Sequence, residues 1–309
     1  MTKTLIVLVG LPGSGKSTWA NEFVENHPDS VSVELFSSDT MRKKTHGDES
    51  IQGDNHLLFE ELYGEMRGFL RENENSIAVF DATNLSRKRR VHLLQQFSKM
   101  NIRKVCVYFA TSFEICKAQN LHRSRQVPEH IMETMYKTVQ PPSMYEGWNE
   151  IQIQWKYDPK EYAESDFITS VLNYDQNNAH HALTLGEHSL AVHKLVSENE
   201  PEDVLLQHVA LLHDNGKVYT RVEHNPKGEP TENSHYYGHE NVGAYESYFY
   251  LKNVGFSDNE VIYGASLILN HMRMRSAKTD KSVEKLVRLV GFSMFADLVT
   301  LNDADRKAH

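Results

Sequence analysis

Gly10-Leu11-Pro12-Gly13-Ser14-Gly15-Lys16-Ser17-Thr18 constrains this chain more than any other stretch, because the apolar run Leu5 to Val9 delivers a G-x-x-x-x-G-K-S loop straight into a helical segment. Glycines in such a loop let successive backbone N–H groups point inward at phosphate oxygens, and the new helix offers its positive end. Lys16 then reaches the terminal phosphates and Ser17 holds Mg²⁺, so the loop predicts a bound nucleoside triphosphate, ATP or another, with Gly13, Ser14, Gly15, Lys16, Ser17 and Thr18 around it. A strand before the loop and a helix after it set this apart from an ordinary Gly-rich turn.

At 309 residues the chain suits two domains better than one, each long enough to bury a core. We expect a first domain over 1–158 and a second over 166–309. Cys106 and Cys116 have no metal spacing, which predicts a reducing cytoplasm, that of a bacterium or a phage-infected host. The apolar run at the N-terminus is consumed by the first strand, so neither a signal peptide nor a membrane span is expected. A net charge of −9 argues against nonspecific coating of nucleic acid but leaves room for a local basic groove. Arg87-Lys88-Arg89-Arg90 reads either as part of such a groove or as a solvated helix face.

In the first half, strand-like runs at Leu5 to Val9, Ser32 to Phe36, Ile77 to Phe80, Val105 to Phe109 and Ile151 to Tyr157 alternate with helical runs at Ser17 to Glu25, Leu57 to Leu70 and Lys88 to Ser98. This alternation predicts an α/β domain, a mostly parallel sheet with helices on both faces. Its ligands belong at the carboxyl ends of the strands. Past the second strand lie Asp39 and Arg42, three apart and so on one face of any helix that starts there. Asp39 can accept a proton from an attacking hydroxyl or cap that helix. Farther on, Gln119 to Pro128 carries Arg123 and Arg125, suited to a lid that stabilises charge on a transferring phosphoryl group.

From about residue 4 to 139 the chain resembles the phage-type polynucleotide 5′-kinases. The resemblance rests on G-x-P-G-S-G-K-S-T-W-A, the Asp39/Arg42 pair, Asp81-Ala82-Thr83-Asn84 followed by Arg89-Arg90, and Asn120-x-x-Arg123 leading to Val127-Pro128 and Met135-Tyr136-Lys137. It implies that Asp39 is the general base on a 5′-hydroxyl, that Arg42 holds an acceptor phosphate, and that lid arginines clamp ATP. The family usually has Arg where Gln119 stands, so either Arg125 takes over or the lid is weaker. The Asp-Ala-Thr-Asn element also occurs in sugar-phosphate and other small-molecule kinases of the superfamily.

After Asp158-Pro159 the strand pattern ends, and eleven of the seventeen histidines follow residue 175. Helical runs at Leu183 to Val196, Pro201 to Asn215, His239 to Leu251, Asp258 to His271, Val283 to Val290 and Met294 to the end predict an all-α domain. His213-Asp214-Asn215-Gly216-Lys217 stands within it. A glycine there costs a helix about 1 kcal/mol, which points to close approach or helix termination. Imidazole and carboxylate together suit a divalent metal, and Lys217 projects beside them if the helix continues.

This half, roughly 175 to 309, resembles the HD-domain phosphohydrolases; Asn177 to His188 is especially like the HD domain attached to tRNA CCA-adding enzymes. The resemblance implies that His188, His213, Asp214 and Asp305 hold one metal and that His239 and His271 match the extra histidines of two-metal members, with one or two transition ions of the Mn, Ni, Co or Fe class. Periodicity does not choose between Asp303 and Asp305; Ala304-Asp305-x-x-Ala308-His309 favours the latter. His180, His193, His208 and His235 read as packed or solvated.

Together the two resemblances imply a bifunctional healer of broken nucleic-acid ends, RNA or tRNA first and DNA as an alternative. Its 5′-kinase uses Lys16, Asp39, Arg42 and Arg123, and its phosphoesterase, with Lys217, acts on a 2′,3′-cyclic or 3′-phosphate, leaving ends for a separate ligase. Two rivals stay open: a nucleotide-metabolism kinase with an HD nucleotidase, and a kinase regulated by a nucleotide-sensing HD module.

Overall fold

The computed structural model describes residues 3–28, 30–48, 55–163, 169, 171, 173–177 and 183–308. Asp166 of the expected boundary, Asn178 to Ala182 with His180, and His309 lie outside them. The chain divides into two compact units, Met1–Met132 with Glu146–Lys156, and Glu133–Tyr145 with Tyr157–His309.

The first unit is a five-stranded parallel sheet ordered β2-β3-β1-β4-β5, from Lys3–Val9 (β1), Ser32–Ser37 (β2), Ser76–Asp81 (β3), Arg103–Thr111 (β4) and Glu150–Lys156 (β5). β1 lies at the centre, which is why its sequence is apolar at consecutive positions. Ile6 and Leu8 pack with Ala20, Val79, Val107 and Phe109, and Trp19 and Phe23 cover that cluster. At the edge, β5 instead alternates exposed Gln152 and half-buried Ile151 and Ile153. Helices Lys16–Glu25 (α1), Ser38–His46 (α2), Asn55–Glu72 (α3), Arg87–Gln96 (α4) and Phe113–Leu121 (α5) connect the strands.

Asn84 and Arg90 brace the switch between β1 and β3. Asn84, in the left-handed region (φ 48°) that its residue type tolerates, donates through Nδ2 to Leu8 O at 2.8 Å. Arg90 is wholly buried, its Nε and Nη2 on Glu146 at 2.7 and 2.6 Å and its Nη1 on Asn84 O and Leu85 O. Arg90 is therefore neither part of a groove nor solvated, and its charge is spent holding a loop in place. Arg89 lies over the Phe59 ring at 4.7 Å.

Helix Glu129–Thr138 (α6) runs into the second unit, whose further helices are Leu185–Asn199 (α7), Val204–Leu212 (α8), Lys217–Thr220 (α9), His239–Asn253 (α10), Asp258–Ser276 (α11), Asp280–Val290 (α12) and Phe292–Lys307 (α13). Thr184 with Glu187 and Ser257 with Glu260 close capping boxes on α7 and α11. From Val242 to Leu251, α10 is buried on every side, as expected of a central helix whose sequence shows no apolar stripe. Its one carboxylate there, Glu246, accepts from Tyr136 at 2.6 Å and Tyr162 at 2.8 Å. Burial and that carboxylate push both phenols well above their ordinary pKa.

Two expectations are corrected here. The domain is not all-α: Val222–His224 (β6) and Pro230–His235 (β7) pair antiparallel. The turn between them is built by Asn225, whose Oδ1 accepts from the backbone of Lys227 and Glu229. The run from Pro201 does not continue as one helix to Asn215; α8 stops at Leu212 and the chain turns through His213–Gly216 before α9. Gly216 permits this turn to lie against α10, since a Cβ there would sit 2.0 Å from His239 O and 2.6 Å from Gly243 N. Neither neighbour is a movable side chain. Gly216→Ala is expected to destabilise the second unit by about 3 kcal/mol, read as a fall in its denaturation midpoint while the first unit's transition stays put.

Candidate functional site

The first unit places its chemistry where β1, β2 and β3 end. Gly13 has φ +78°, and a Cβ on it would lie 2.3 Å from Cys116 O, so the loop is shaped against α5. Lys16 turns inward: its Nζ donates to Gly10 O (2.9 Å), Leu11 O (2.7 Å) and Ser14 Oγ (3.2 Å). Burial lowers its pKa to about 8 against the opposing charge of Asp81. Ser17 donates to Asp81 Oδ2 at 2.7 Å. A hydroxyl and a carboxylate beside a phosphate loop are the oxygen ligands Mg²⁺ prefers. The sequence assigns Asp81 no role of its own, although it is an acidic residue ending the strand beside β1.

Asp39 and Arg42 do share a face of α2, with Arg42 Nη1 on Asp39 Oδ1 at 2.8 Å, while Arg125 Nη1 stands 3.6 Å from the same oxygen. Asn120 clips the base of the lid loop, its Nδ2 on Val127 O and its Oδ1 accepting from Val127 N. Arg123 and Thr18 are exposed, the first just past α5 and the second on the first turn of α1. With its amide turned so that nitrogen faces Gly13 O at 2.8 Å, Gln119 accepts from Lys156 Nζ at 2.5 Å. The position that lacks an arginine thus presents a lysine from β5.

The second unit gathers His188 from α7, His213 and Asp214 from the turn after α8, His239 from the start of α10, His271 from α11 and Asp305 from α13, all buried. Asp214 divides its oxygens. Oδ2 lies 3.5 Å from His213 Nε2 and 3.8 Å from His188 Nε2; Oδ1 lies 3.1 Å from His239 Nε2 and 3.6 Å from His271 Nε2. Asp305 Oδ1 completes the first group, 3.2 Å from His188 and 3.8 Å from His213. Asp303 is exposed on the opposite side of α13 from that cluster.

Three of the four imidazoles are aimed by backbone carbonyls. The Nδ1 atoms of His213, His239 and His271 lie 2.8, 2.9 and 2.6 Å from Ala210 O, Tyr236 O and Ile268 O. A carbonyl can only accept, so each Nδ1 carries a proton and each Nε2, the atom that would coordinate an ion, faces into the cluster. Burial lowers His213 to about 4, and its Nε2 makes no hydrogen bond. His239 and His271 bring their Nε2 atoms to 3.3 Å. Burial works against the charged form of His239, but the Asp214 carboxylate prevails and raises its pKa. Burial also opposes ionisation of Asp214 and Asp305, yet Lys217 and His213 hold Asp214 well below the carboxylate range, and His188, His213 and Arg275 do the same for Asp305. An orphaned buried nitrogen on His213, four Nε2 atoms converging and a shared carboxylate fit one or two divalent ions. The two triads His188/His213/Asp214 and Asp214/His239/His271 each bring their ligand atoms within 4.8 Å of one another.

Lys217 sits beside this cluster, its Nζ on Asp214 Oδ2 and Gln176 Oε1, both at 2.8 Å. Arg275 binds Asp305 Oδ2 through Nε (3.1 Å) and Nη2 (2.6 Å). Neither Gln176 nor Arg275 belongs to a motif that sequence reasoning singled out. Of the histidines read as packed or solvated, His208 lies against Tyr250 and Phe256, and His235 stacks on Tyr237. Because His213 is neutral when folded but titrates near 6.5 when unfolded, it contributes stability above pH 6.5 that is lost as the pH falls towards 4. The metal-free protein is expected to show a denaturation midpoint that falls over that window, and His213→Gln to flatten the fall.

Among the described residues no helix is long and apolar enough to cross a membrane. The AAA domain family matches residues 5–142. L-seryl-tRNA(Sec) kinase of Methanococcus maripaludis is 25% identical over 154 residues, covering 47% of this chain and 56% of that protein. A 2′,3′-cyclic-nucleotide 3′-phosphodiesterase of Pongo abelii is 31% identical over 117 residues, covering 38% of this chain and 26% of the relative. The chain thus spans about half and about a quarter of the length of these two curated relatives. Among solved structures, the Pnkp1/Rnl/Hen1 complex aligns at 22% identity and a TM-score of 0.34 over 41% of each chain. Over residues 5–142 this chain carries a P-loop domain similar to kinases, followed by a largely helical region.

Proposed function

We propose that the protein heals broken RNA ends, phosphorylating a 5′-hydroxyl in its first unit and hydrolysing a 2′,3′-cyclic or 3′-phosphate in its second. The observation that carries this reading is the division of the Asp214 oxygens between two sets of histidines, on the same chain as a P-loop. In the first unit, backbone N–H groups of Gly13 to Lys16 and the Lys16 ammonium bind the triphosphate, and Ser17 and Asp81 hold Mg²⁺. Asp39 takes the proton from the 5′-hydroxyl as that oxygen attacks the γ-phosphorus and the bond to ADP breaks. Arg42 holds the acceptor, and Arg123 and Arg125 offset charge on the transferring group.

In the second unit His188, His213, Asp214 and Asp305 would hold one divalent ion, and Asp214, His239 and His271 a second. When bound, such ions supply Lewis-acid activation of water and of the phosphate ester. Lys217, fixed by Gln176, presents a positive charge to the phosphate, and the carbonyl-anchored imidazoles keep the donor atoms converged. Support also comes from the two relatives, one named as a kinase of L-seryl-tRNA(Sec) and the other as a phosphodiesterase of a 2′,3′-cyclic nucleotide.

A short RNA with a 5′-hydroxyl and a 2′,3′-cyclic phosphate, incubated with ATP, Mg²⁺ and Mn²⁺ or Ni²⁺, tests this by mass. The expected product carries a 5′-phosphate and a 3′-hydroxyl. An unchanged RNA alongside turnover of mononucleotides would replace the reading with nucleotide metabolism.

A further inference from the structure

Arg273, Arg275, Lys278 and Lys281 are exposed where α11 ends and α12 begins, and Arg306 and Lys307 are exposed at the end of α13. Across Arg273–Lys281 and Asp303–Lys307 these six cations meet three carboxylates, Asp280, Asp303 and Asp305, in a chain of net charge −9. One of the three, Asp305, is buried and turned into the histidine cluster. The Arg275–Asp305 pair fixes the two stretches side by side, so the positive rim and the cluster are joined through one guanidinium.

We propose that this rim is the track of a single-stranded nucleic acid whose terminal phosphate is delivered past Arg275 to the cluster; this rests on the hydrolytic reading above. Lys217 and Arg275 already stand beside the cluster, so a single phosphate there meets two cations without the rest of the rim. Lys278 and Lys281 lie farther along the chain from His271 than Arg275 does, where the next phosphates of a strand would pass. Arg275 is the hinge of the arrangement. Two of its nitrogens orient Asp305 Oδ2, and Nη1 takes no part in that pair. Exposed ammonium groups bind a polyanion chiefly by releasing its counterions, which makes the attraction salt-dependent and indifferent to sequence.

The test compares the full-length protein with the triple variant Arg273→Glu/Lys278→Glu/Lys281→Glu, none of whose positions touches the cluster. The probe is a fluorescent RNA phosphorylated at both ends, so that the kinase has no hydroxyl to engage. Anisotropy across a salt series is expected to show affinity at least about tenfold weaker in the variant, with a log–log salt slope shallower by about 2, three phosphates at about 0.7 each. Hydrolysis of a mononucleotide 3′-phosphate is expected to be unchanged, and hydrolysis of the RNA to fall with its affinity. Equal affinity and slope in the two proteins overturn the track. So does an equal loss on RNA and mononucleotide, which would mark a damaged fold. Rim-dependent binding with no hydrolysis of either substrate by the unaltered protein would support the track and overturn the hydrolytic reading instead.

Discussion

Asp214→Asn is expected to reduce release of the 3′-phosphate by on the order of 10³-fold or more while 5′ phosphorylation proceeds at its original rate. Among the described residues this carboxylate belongs to both histidine sets, and it also faces the buried Lys217 ammonium. An amide of the same shape offers one neutral oxygen, so it cannot serve two cations and leaves Lys217 without its counter-charge. Bound metal, measured on the isolated protein, is expected to fall together with hydrolysis. A variant that keeps both its metal and its 3′ activity would remove the cluster from the chemistry.

Asp39→Ala is expected to have the reciprocal effect, slowing 5′ phosphorylation by about 10² to 10⁴-fold, the range of a lost general base. Affinity for ATP should hardly change, because Asp39 lies on α2 and the phosphates are cradled by the loop before α1. The side chain also fixes Arg42 at 2.8 Å, so some loss should appear as a raised KM for the acceptor. Asp39→Asn separates the two roles, since the amide oxygen still accepts from Arg42 but takes no proton. If Asp39→Asn were as active as the original chain, the aspartate would be a helix-terminal residue and no base.

Sequence reasoning reached furthest where local chemistry repeats. The apolar β1, the glycine loop and the alternation of strand and helix runs led directly to a parallel sheet with its phosphate loop at the strand ends. The convergence of His188, His213, Asp214, His239, His271 and Asp305 was legible through resemblance, although they come from five separate segments. What escaped depends on contacts distant in sequence. Arg90 is one of four consecutive cations by sequence, and only Glu146, 56 residues away, makes it a buried brace. Gln176 and Arg275 are ordinary residues made significant by Lys217 and Asp305. The β6–β7 hairpin had a local signal, Asn225 with Gly228 between strand-forming residues, but polar, glutamate-rich flanks concealed it.

The division of the chain bears on how the protein can be taken apart. Residues Glu133–Tyr145 belong with the second unit although the sequence returns to the first afterwards. Two genes joined end to end would cross between bodies once; here the backbone crosses three times. A fragment beginning at 166 therefore discards both Tyr136 and Tyr162 and strands the Glu246 carboxylate inside α10 with neither phenol to meet it. The two proposed activities are therefore to be separated by point substitution and not by cutting the chain at a single place.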